Sequence, residues 1–270
     1  MEKIESTVAV VGAGAMGGAI AAGLVGSGVA DCGSVLVADP SAERRETLGK
    51  LGMRTFDAAR EMLAQKPDVT VLAVKPQILP AVVGEFADLL DGSAVISIAA
   101  GVPLAALEQM LPSSRVVRVM PNLPVQVLSG ATAVCGGTRA TDDDIRLACT
   151  IFGALGSAKV MREDQLDAEG AVVSCGPAYI ALMVDAMTRA GVENGLPAAD
   201  CREMVLSTMR GVCQQLLDSG EHPRSYMERV TSPGGTTAAG LRSLEPYLVE
   251  GVEEAIDAAL ARTRDLAKRK

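Results

Sequence analysis

The hydrophobic pattern changes character near residue 163. Before that point, short apolar runs alternate with segments of helical periodicity, and glycine or proline residues separate them. Eight apolar runs predict strands, at Thr7–Val11, Val35–Ala38, Met53–Thr55, Val69–Val74, Ala94–Ala99, Val116–Met120, Ala131–Cys135 and Ser157–Met161. Helices are predicted at Ala15–Gly26, Ala42–Leu51, Leu104–Met110 and Asp142–Leu155, with Thr141 as the N-cap of the last. Strands that alternate with helices predict an α/β fold with a doubly wound, mostly parallel sheet.

After residue 163 every regular segment has helical periodicity. The predicted helices span residues 177–194, 198–219, 224–230, 236–245 and 247–268. Ile180, Met183, Val184 and Met187 recur at helical spacing, which predicts a buried stripe, in the core or against a second subunit. We therefore expect two domains: a sheet domain over residues 1–162 and an all-helical domain over residues 163–270.

Composition narrows the classes of protein. Almost half of the 270 residues are apolar, at 49%, and the net charge is −8, so we expect no nucleic-acid partner. Six cysteines are scattered without a CxxC pair, and there is one histidine, so no metal site is expected. Scattered cysteines and a start without targeting character favour the cytoplasm.

An uncharged stretch from Ser6 to Ala30 is long enough to cross a bilayer, and this alternative has to be weighed. The stretch contains seven glycines and few large apolar residues. Its first part is β-branched and its second part is rich in alanine. We interpret it as a buried strand followed by a helix, and we expect no membrane partner.

A glycine motif lies at the junction of that strand and helix. Gly12-Ala13-Gly14-Ala15-Met16-Gly17 is GxGxxG, directly after the first strand and at the start of the first helix. This context is typical of a Rossmann domain, where the glycines let a dinucleotide pyrophosphate approach the helix N-terminus. The alternative is a packing motif between helix and strand. We expect a nicotinamide dinucleotide, NADPH or NADH.

The second strand ends at Asp39, 22 residues beyond Gly17. An acid at this position accepts hydrogen bonds from the adenosine ribose and repels a 2′-phosphate, which favours NADH. Arg44 and Arg45 follow on the next helix and could instead meet such a phosphate. The choice between the two cofactors stays open, with tolerance of NADH expected.

Three more strand ends lie at the same predicted edge, because ligands bind at the carboxyl ends of the strands in a doubly wound sheet. Lys75 follows the fourth strand; it either approaches the cofactor or caps surface carbonyls. Small residues in Ser97–Gly101 leave room for a nicotinamide ring. The segment 121–124, which contains Asn122, has the same location and a rigid backbone.

A second glycine turn, far from the first, reads Ser232-Pro233-Gly234-Gly235-Thr236-Thr237-Ala238. It predicts free backbone N–H groups where a helix begins, and such a helix end attracts a carboxylate or phosphate. The hydroxyls of Thr236 and Thr237 could reach a polar atom beside that anion. The alternative is an ordinary glycine-rich helix cap.

Taken together, these motifs resemble the pyrroline-5-carboxylate reductase family, from the first strand to about Glu245. The matching segments are GAGAMG at 12–17, AVKPQ at 73–77, SIAAGV at 97–102, RVMPNLP at 118–124, SCGPAY at 174–179, AGVENGLP at 190–197, GEHP at 220–223 and VTSPGGTTAAGL at 230–241. The resemblance implies hydride transfer from NAD(P)H to the C=N carbon of 1-pyrroline-5-carboxylate, giving L-proline. It also implies a helical C-terminal dimerisation domain, a homodimer, and rings built from dimers.

The resemblance also implies site residues. Cofactor contacts would come from Val11, Gly12, Ala13, Gly14, Ala15, Met16, Ala73, Val74, Lys75, Pro76, Ala99, Ala100 and Gly101. The substrate would be held by the turn of Ser232 and Gly234, and by Gly235, Thr236 and Thr237. Thr237 would be the catalytic group, hydrogen-bonded to the ring nitrogen.

Three positions depart from the family pattern. Leu123 stands where the family usually has threonine, and Val173-Ser174-Cys175 stand where it usually reads SGS. Ala58 stands where an asparagine often lies near the adenosine end. The first two departures touch the expected pocket wall, and the third adds to the expectation that NADH is tolerated.

Two rival functions remain. A related imine or hydroxyacid reductase would need a lysine or aspartate in the helical domain, and the only lysine between Lys75 and Arg262 is Lys159, in a predicted strand. A nicotinamide-binding sensor without turnover would keep residues 12–17 but would have no use for paired threonines beside an anion cradle.

Overall fold

A computed structural model describes residues 3–268, so the outermost residues of both predicted domains lie outside the described residues. The chain divides into two compact units. The first comprises the chain up to Cys175 together with the chain from Leu260 onward, and the second comprises Gly176–Ala259.

An eight-stranded sheet forms the first unit. Its strands are β1 (Val8–Val11), β2 (Val35–Ala38), β3 (Arg54–Phe56), β4 (Val69–Leu72), β5 (Ala94–Ser97), β6 (Arg115–Pro121), β7 (Gly130–Gly136) and β8 (Gly156–Val160). Their order is β3-β2-β1-β4-β5-β6-β7-β8, and every pair is parallel except β6 with β7. The predicted doubly wound, mostly parallel sheet is therefore confirmed, with the strand order of a Rossmann fold through β6.

Helices cover both faces of this sheet. They are α1 (Ala15–Gly26), α2 (Ala42–Gly49), α3 (Ala59–Leu63), α4 (Leu79–Gly84), α5 (Leu104–Met110), α6 (Asp142–Gly153) and α7 (Glu163–Glu169). The β1 side chains alternate between two cores: Val8 and Val10 belong to one cluster, and Ala9 and Val11 to the other. A strand buried on both faces needs such an unbroken apolar run, which explains the sequence of β1.

Three short helices, α3, α4 and α7, were not predicted, and the predicted elements differ from the observed ones mainly at their ends. The fourth strand stops at Leu72 rather than Val74, and the fifth at Ser97 rather than Ala99. The residues beyond each strand form the loops of the carboxyl edge. At Thr141 the predicted N-cap is confirmed, because its hydroxyl accepts from the Asp144 N–H while the Asp144 carboxylate accepts from the Thr141 N–H.

Helices alone build the second unit, and no strand follows β8 within residues 3–268. They are α8 (Gly176–Glu193), α9 (Ala198–Ser219), α10 (Pro223–Arg229) and the first part of α11 (Thr236–Lys268). A close crossing joins α8 to α9, where a Cβ on Gly191 would come within 2.4 Å of Cys201 Sγ. Cys201 and Val205 are buried in this contact.

One alternative and one expectation for the helical region were wrong. The stripe on α8 is not buried in the core of the chain, since Ile180 is 58% exposed and Met187 is 46% exposed, and its burial against a second subunit stays a prediction. The two helices predicted on either side of Pro246 are one helix, α11, with Pro246 in its interior. A proline removes one backbone donor and usually ends or kinks a helix, so the sequence signal favoured a break.

One helical segment, residues 163–193, is long and apolar enough to cross a membrane by length and composition. That is weak evidence, because apolar helices that pack against other proteins meet the same criterion. The segment includes a π-helical turn, Gly170–Ser174, between α7 and α8. The predicted domain boundary at residue 163 stays a prediction.

Candidate active site

Five loops meet at one edge of the sheet because their strands are parallel and run in register. They follow the carboxyl ends of β1, β2, β4, β5 and β6. The order of the strands reverses between β1 and β4, and ligands of doubly wound sheets bind at such a switch point. The predicted cofactor residues therefore gather at one edge.

Close packing fixes the glycine loop after β1. Gly12 has a φ of +97°, and a Cβ there would lie 2.8 Å from the carbonyl oxygen of Ala73. A Cβ on Gly17 would lie 2.0 Å from the carbonyl oxygen of Gly12. Gly14, the N-cap of α1, has nothing within 4 Å of its Cβ position. The first and third glycines thus serve packing, and the second leaves open space at the N-terminus of α1.

Asp39 stabilises this loop through hydrogen bonds from its side chain to the backbone. Its side chain is 4% exposed, and its carboxylate accepts hydrogen bonds from the N–H groups of Ala13, at 2.7 Å, and Ser41, at 2.9 Å. The guanidinium of Arg44 lies 3.4 Å from the same carboxylate. Sequence reasoning placed Asp39 at the correct edge but missed this brace, which only the fold brings together.

A cavity of about 600 Å³ adjoins the glycine loop. Ala13, Gly14 and Ala15 line it together with Glu43 and Arg44. Val11 is buried in β1, while Ala15 is exposed and Met16 is half-buried. The loop is therefore accessible on the side where the helix N-terminus presents its N–H groups.

The loops after β4 and β5 are more open. Lys75 is exposed, and its carbonyl accepts from the N–H of Ile78 and of Leu79, at the start of α4. Ala73, Val74 and Pro76 are half-buried around it. After β5, Ala99 is buried, Ala100 is exposed, and Gly101 takes a φ of +69°. The side chains at this strand end are small, and the contact of this edge with a nicotinamide ring stays a prediction.

At the end of β6, Asn122 is 8% exposed and its side chain makes two hydrogen bonds to the backbone. Its amide donates to the carbonyl of Val173 at 3.2 Å and accepts from the N–H of Ala131 at 2.9 Å. The predicted cofactor residue thus ties the end of β6 to the π-helical turn. Any cofactor contact of Asn122 stays a prediction.

Two charged residues that sequence reasoning missed lie in the same region. Arg118 on β6 is 4% exposed and pairs with Glu163, at 3.1 Å, and with Asp167, at 3.2 Å, which fastens α7 to the sheet. Glu169 ends α7 with 8% exposure. Burial raises the pKa of the Glu169 carboxyl to about 7, and a hydrogen bond from Ser174 opposes this shift. In the sequence, Glu169 stands directly before the uncharged segment 170–184.

The second glycine turn is a separate, exposed structure. Gly234 has a φ of +71° with nothing near its Cβ position, and the N–H of Gly235 donates to the carbonyl of Ser232 at 3.0 Å. Thr236 begins α11, and both it and Thr237 are exposed. The first N–H groups of a helix have no intrahelical partner. Ser232, Gly234 and the two threonines lie together in this exposed turn, while the N–H of Gly235 is already used. Their contact with a substrate stays a prediction.

Comparisons with known proteins agree with this architecture. Residues 163–266 match the family model for pyrroline-5-carboxylate reductase dimerisation, and residues 7–101 match that for NADP oxidoreductase, coenzyme F420-dependent. The chain is 35% identical to the pyrroline-5-carboxylate reductase of Synechocystis over 96% of this chain and 98% of the relative. Its identity to the Escherichia coli enzyme is 34%, over 98% and 100%.

Solved structures give the same result. A pyrroline-5-carboxylate reductase from Coxiella burnetii superposes with a TM-score of 0.92 and 32% identity, over 98% of this chain and 99% of that one. A pyrroline carboxylate reductase from Plasmodium falciparum with NADP bound has a TM-score of 0.88 and 28% identity, over the same shares.

A Rossmann sheet with an open glycine loop, followed by helices that match a dimerisation domain, defines an NAD(P)H-dependent oxidoreductase. Similarity over the full length of the chain then identifies the family within this class. The chain belongs to the pyrroline-5-carboxylate reductase family.

Proposed function

We propose that this protein reduces the C=N bond of 1-pyrroline-5-carboxylate to give L-proline. The observation that carries the proposal is the exposed turn at the start of α11, where a helix N-terminus and two threonine hydroxyls offer donors to a small anion. That donor set suits a cyclic imino acid, whose carboxylate lies next to its ring nitrogen.

The glycine loop is the proposed pyrophosphate site, because Gly14 leaves room above the N-terminus of α1. When bound, the reduced nicotinamide supplies the hydride. Ala99, Ala100 and Gly101 are proposed to line its ring, with Val74–Pro76 on the neighbouring loop. The chain's own contribution is to orient the two reactants and to exclude water.

For the substrate, backbone N–H groups of the turn Ser232–Thr237 are proposed to hold the carboxylate. The Thr237 hydroxyl is proposed to orient the ring nitrogen and to keep its proton in place. A protonated imine is already electrophilic, so this site needs no strong acid. Thr237 is therefore the residue that we expect to affect turnover most.

The cofactor preference is proposed to include NADH. The Asp39 carboxylate hydrogen-bonds the glycine loop, and an acidic group at this position disfavours a 2′-phosphate, although Arg44 lies 3.4 Å away and lines the cavity beside the loop. Steady-state kinetics with both cofactors test this. A preference for NADPH of a hundredfold or more would contradict it.

A homodimer through residues 163–270 is the proposed assembly, and a ring of dimers is its proposed extension. The exposed apolar side chains of α8, such as Ile180 and Leu182, support it, because a partner would cover them. We place the protein in the cytoplasm, with neither nucleic acid nor membrane as a partner.

The decisive experiment follows the absorbance of the reduced nicotinamide after 1-pyrroline-5-carboxylate is added, and measures the proline formed. The variant Thr237→Ala should lower kcat by roughly tenfold or more while the Kd for the cofactor stays constant, because one hydrogen bond to a charged group is lost. Thr208→Ala on α9, an exposed threonine, is the matched control. An unchanged kcat in Thr237→Ala removes this residue from the mechanism.

The same assay separates the rival functions. Cofactor binding without consumption would indicate a sensor. Consumption with other imines or hydroxyacids, but not with pyrroline-5-carboxylate, would indicate a related reductase.

A further inference from the structure

Glu169 is a buried carboxyl that the proposed reaction does not use. It is the last residue of α7, directly before the π-helical turn, and 8% of it is exposed. Carboxylates are rarely buried unless they are paired with a cation. The cation on the adjoining strand, Arg118, is paired with Glu163 and Asp167 instead.

The partner of Glu169 is the Ser174 hydroxyl. The Ser174 Oγ lies 3.4 Å from Glu169 Oε2 and 3.5 Å from the carbonyl oxygen of Pro121. A hydroxyl has one proton to donate, so it can serve only one of these two acceptors at a time. Both distances are at the long end for a hydrogen bond, and a small rotation of the hydroxyl selects between them.

The ionisation of Glu169 decides which acceptor is served. A neutral carboxyl can donate to Ser174 Oγ, and the Ser174 proton is then free to bond the Pro121 carbonyl. An ionised carboxylate accepts the Ser174 proton, because a charged acceptor binds more strongly than a carbonyl. The Pro121 carbonyl then loses this donor.

The consequence reaches the cofactor edge through Asn122. This residue follows Pro121, and its side-chain amide holds the carbonyl of Val173, beside Ser174. Pro121 and Asn122 therefore have two links to the π-helical turn, one of them through Ser174. Single π-helical turns are frequent at functional sites. Val173, Ser174 and Cys175 also form the segment where the chain departs from its family's usual SGS.

We propose that Glu169 is a positioning residue that acts through Ser174, and that its protonated form holds the Pro121–Asn122 loop in the arrangement that receives the nicotinamide cofactor. This inference rests on the proposed binding of a nicotinamide cofactor, and it does not depend on which imino acid the protein reduces. Deprotonation of Glu169 releases one of the two links and weakens cofactor binding.

The charges around Glu169 fit this assignment. Burial raises the pKa of its carboxyl to about 7, so that the carboxyl changes its charge near neutral pH. Three other carboxylates lie on α7: Glu163, Asp164 and Asp167. The adjoining strand β6 carries two arginines, Arg115 and Arg118. Two thiols are also close, those of Cys135 on β7 and of Cys175, next to Ser174. Burial also raises the pKa of Cys135, which keeps that thiol neutral near pH 7. Arg115 pairs with Asp144, and Asp164 with Arg162.

The experiment measures the Kd for the reduced cofactor, by its fluorescence, between pH 5.5 and pH 8.5 without substrate. In the unaltered protein we expect the Kd to rise about three- to tenfold as the pH passes 7. Glu169→Gln should remove this step and keep the tight value at high pH, since a carboxamide also donates to Ser174. Ser174→Ala should remove the step and keep the weak value throughout.

The matched control is Glu61→Gln on α3, an exposed glutamate, which should retain the step. A step near pH 7 that persists in Glu169→Gln overturns the proposal, as does the absence of any step in the unaltered protein. If Glu169→Gln does not fold, Ser174→Ala decides the question alone. The Kd measurement contains no substrate. If the protein does not reduce pyrroline-5-carboxylate, the measured pH dependence of the Kd therefore remains valid, and only the proposed reaction is contradicted.

A second readout is the pH dependence of stability. A carboxyl whose pKa is raised by folding binds more protons in the folded state, so its contribution to stability falls as the pH rises from about 4.5 to 7. Glu169→Gln should therefore gain stability relative to the unaltered protein at pH 8 and not at pH 4.5. No such difference between the two pH values would contradict the burial of an ionisable Glu169.

Discussion

The two glycine turns of this chain look alike in sequence and differ in how they are built. The turn at residues 12–17 is crowded, since a Cβ on Gly17 would meet the backbone of the loop itself and a Cβ on Gly12 the backbone of Ala73, directly after β4. In the turn at residues 232–237, a Cβ on Gly235 would meet the Ser232 side chain at 2.4 Å, but the space around Gly234 is free, and Gly234 is required only for its φ of +71°. One turn belongs to a sheet core, and the other is an exposed cap on α11.

This difference distinguishes two physical reasons why a position requires glycine. At Gly17 the neighbouring backbone leaves no space for a Cβ, so any other residue has to displace the loop. At Gly234 the space is free, and the cost of another residue is only that of a left-handed backbone. A substitution in the first turn should therefore affect folding and cofactor binding, and one in the second should affect chiefly the substrate.

The largest effect is expected for Gly17→Ala. Its Cβ would lie 2.0 Å from the Gly12 carbonyl oxygen, so the free energy of unfolding should fall by about 3 kcal/mol and cofactor binding should be lost. Gly26→Ala, in the same helix with nothing near the Cβ position, is the control and should be neutral or slightly stabilising. Chemical denaturation and cofactor titration measure both. Equal stability of the two variants would break the comparison.

A smaller effect is expected for Asp39→Ala, which removes the brace under the first turn. The N–H groups of Ala13 and Ser41 lose their acceptor, and an unpaired buried donor costs about 1–3 kcal/mol. The Kd should rise more for NADH than for NADPH, because the charge that opposes a 2′-phosphate is gone. Asp31→Ala, an exposed carboxylate paired with Lys3, should change neither quantity.

The smallest effect on stability is expected for Gly234→Ala, at about 1 kcal/mol for the left-handed backbone. The control is Gly220→Ala at the end of α9, where φ is +65° and nothing lies near the Cβ position. Both variants should lose similar stability. Only Gly234→Ala should lower kcat/KM for pyrroline-5-carboxylate while the Kd for the cofactor stays constant; equal kinetic losses would show that this turn is merely a cap.

Much of the fold was accessible from local signals. The strands are short apolar runs, and Thr141 and Asp144 carry a capping box that can be read from their spacing. An error arose at Pro246, which lies inside α11 although prolines usually end helices. The stripe on α8 was expected in the core or against a second subunit, and it is not in the core, because periodicity shows only that one face is apolar and not what covers it.

In the candidate site, too, some features could be predicted from local sequence signals and others depend on tertiary contacts. Glycine spacing and strand ends placed the cofactor residues at one edge, because parallel strands must present their carboxyl ends together. The brace from Asp39 to Ala13 joins residues 26 apart in sequence, and the link from Asn122 to Val173 joins residues 51 apart. No local pattern reports such contacts.

By itself, the sequence determined the α/β alternation, the cofactor loop, the paired threonines of the second turn and the family resemblance, because each depends on residue types at short spacing. The tertiary structure decided which buried groups meet. It placed Ser174 between Glu169 and the Pro121 carbonyl, joined the Asn122 amide to the backbone, and gave Asp39 hydrogen bonds to the glycine loop. The physical reason is that burial and hydrogen-bond partners depend on distant segments, whereas backbone preference and periodicity are properties of neighbours along the chain.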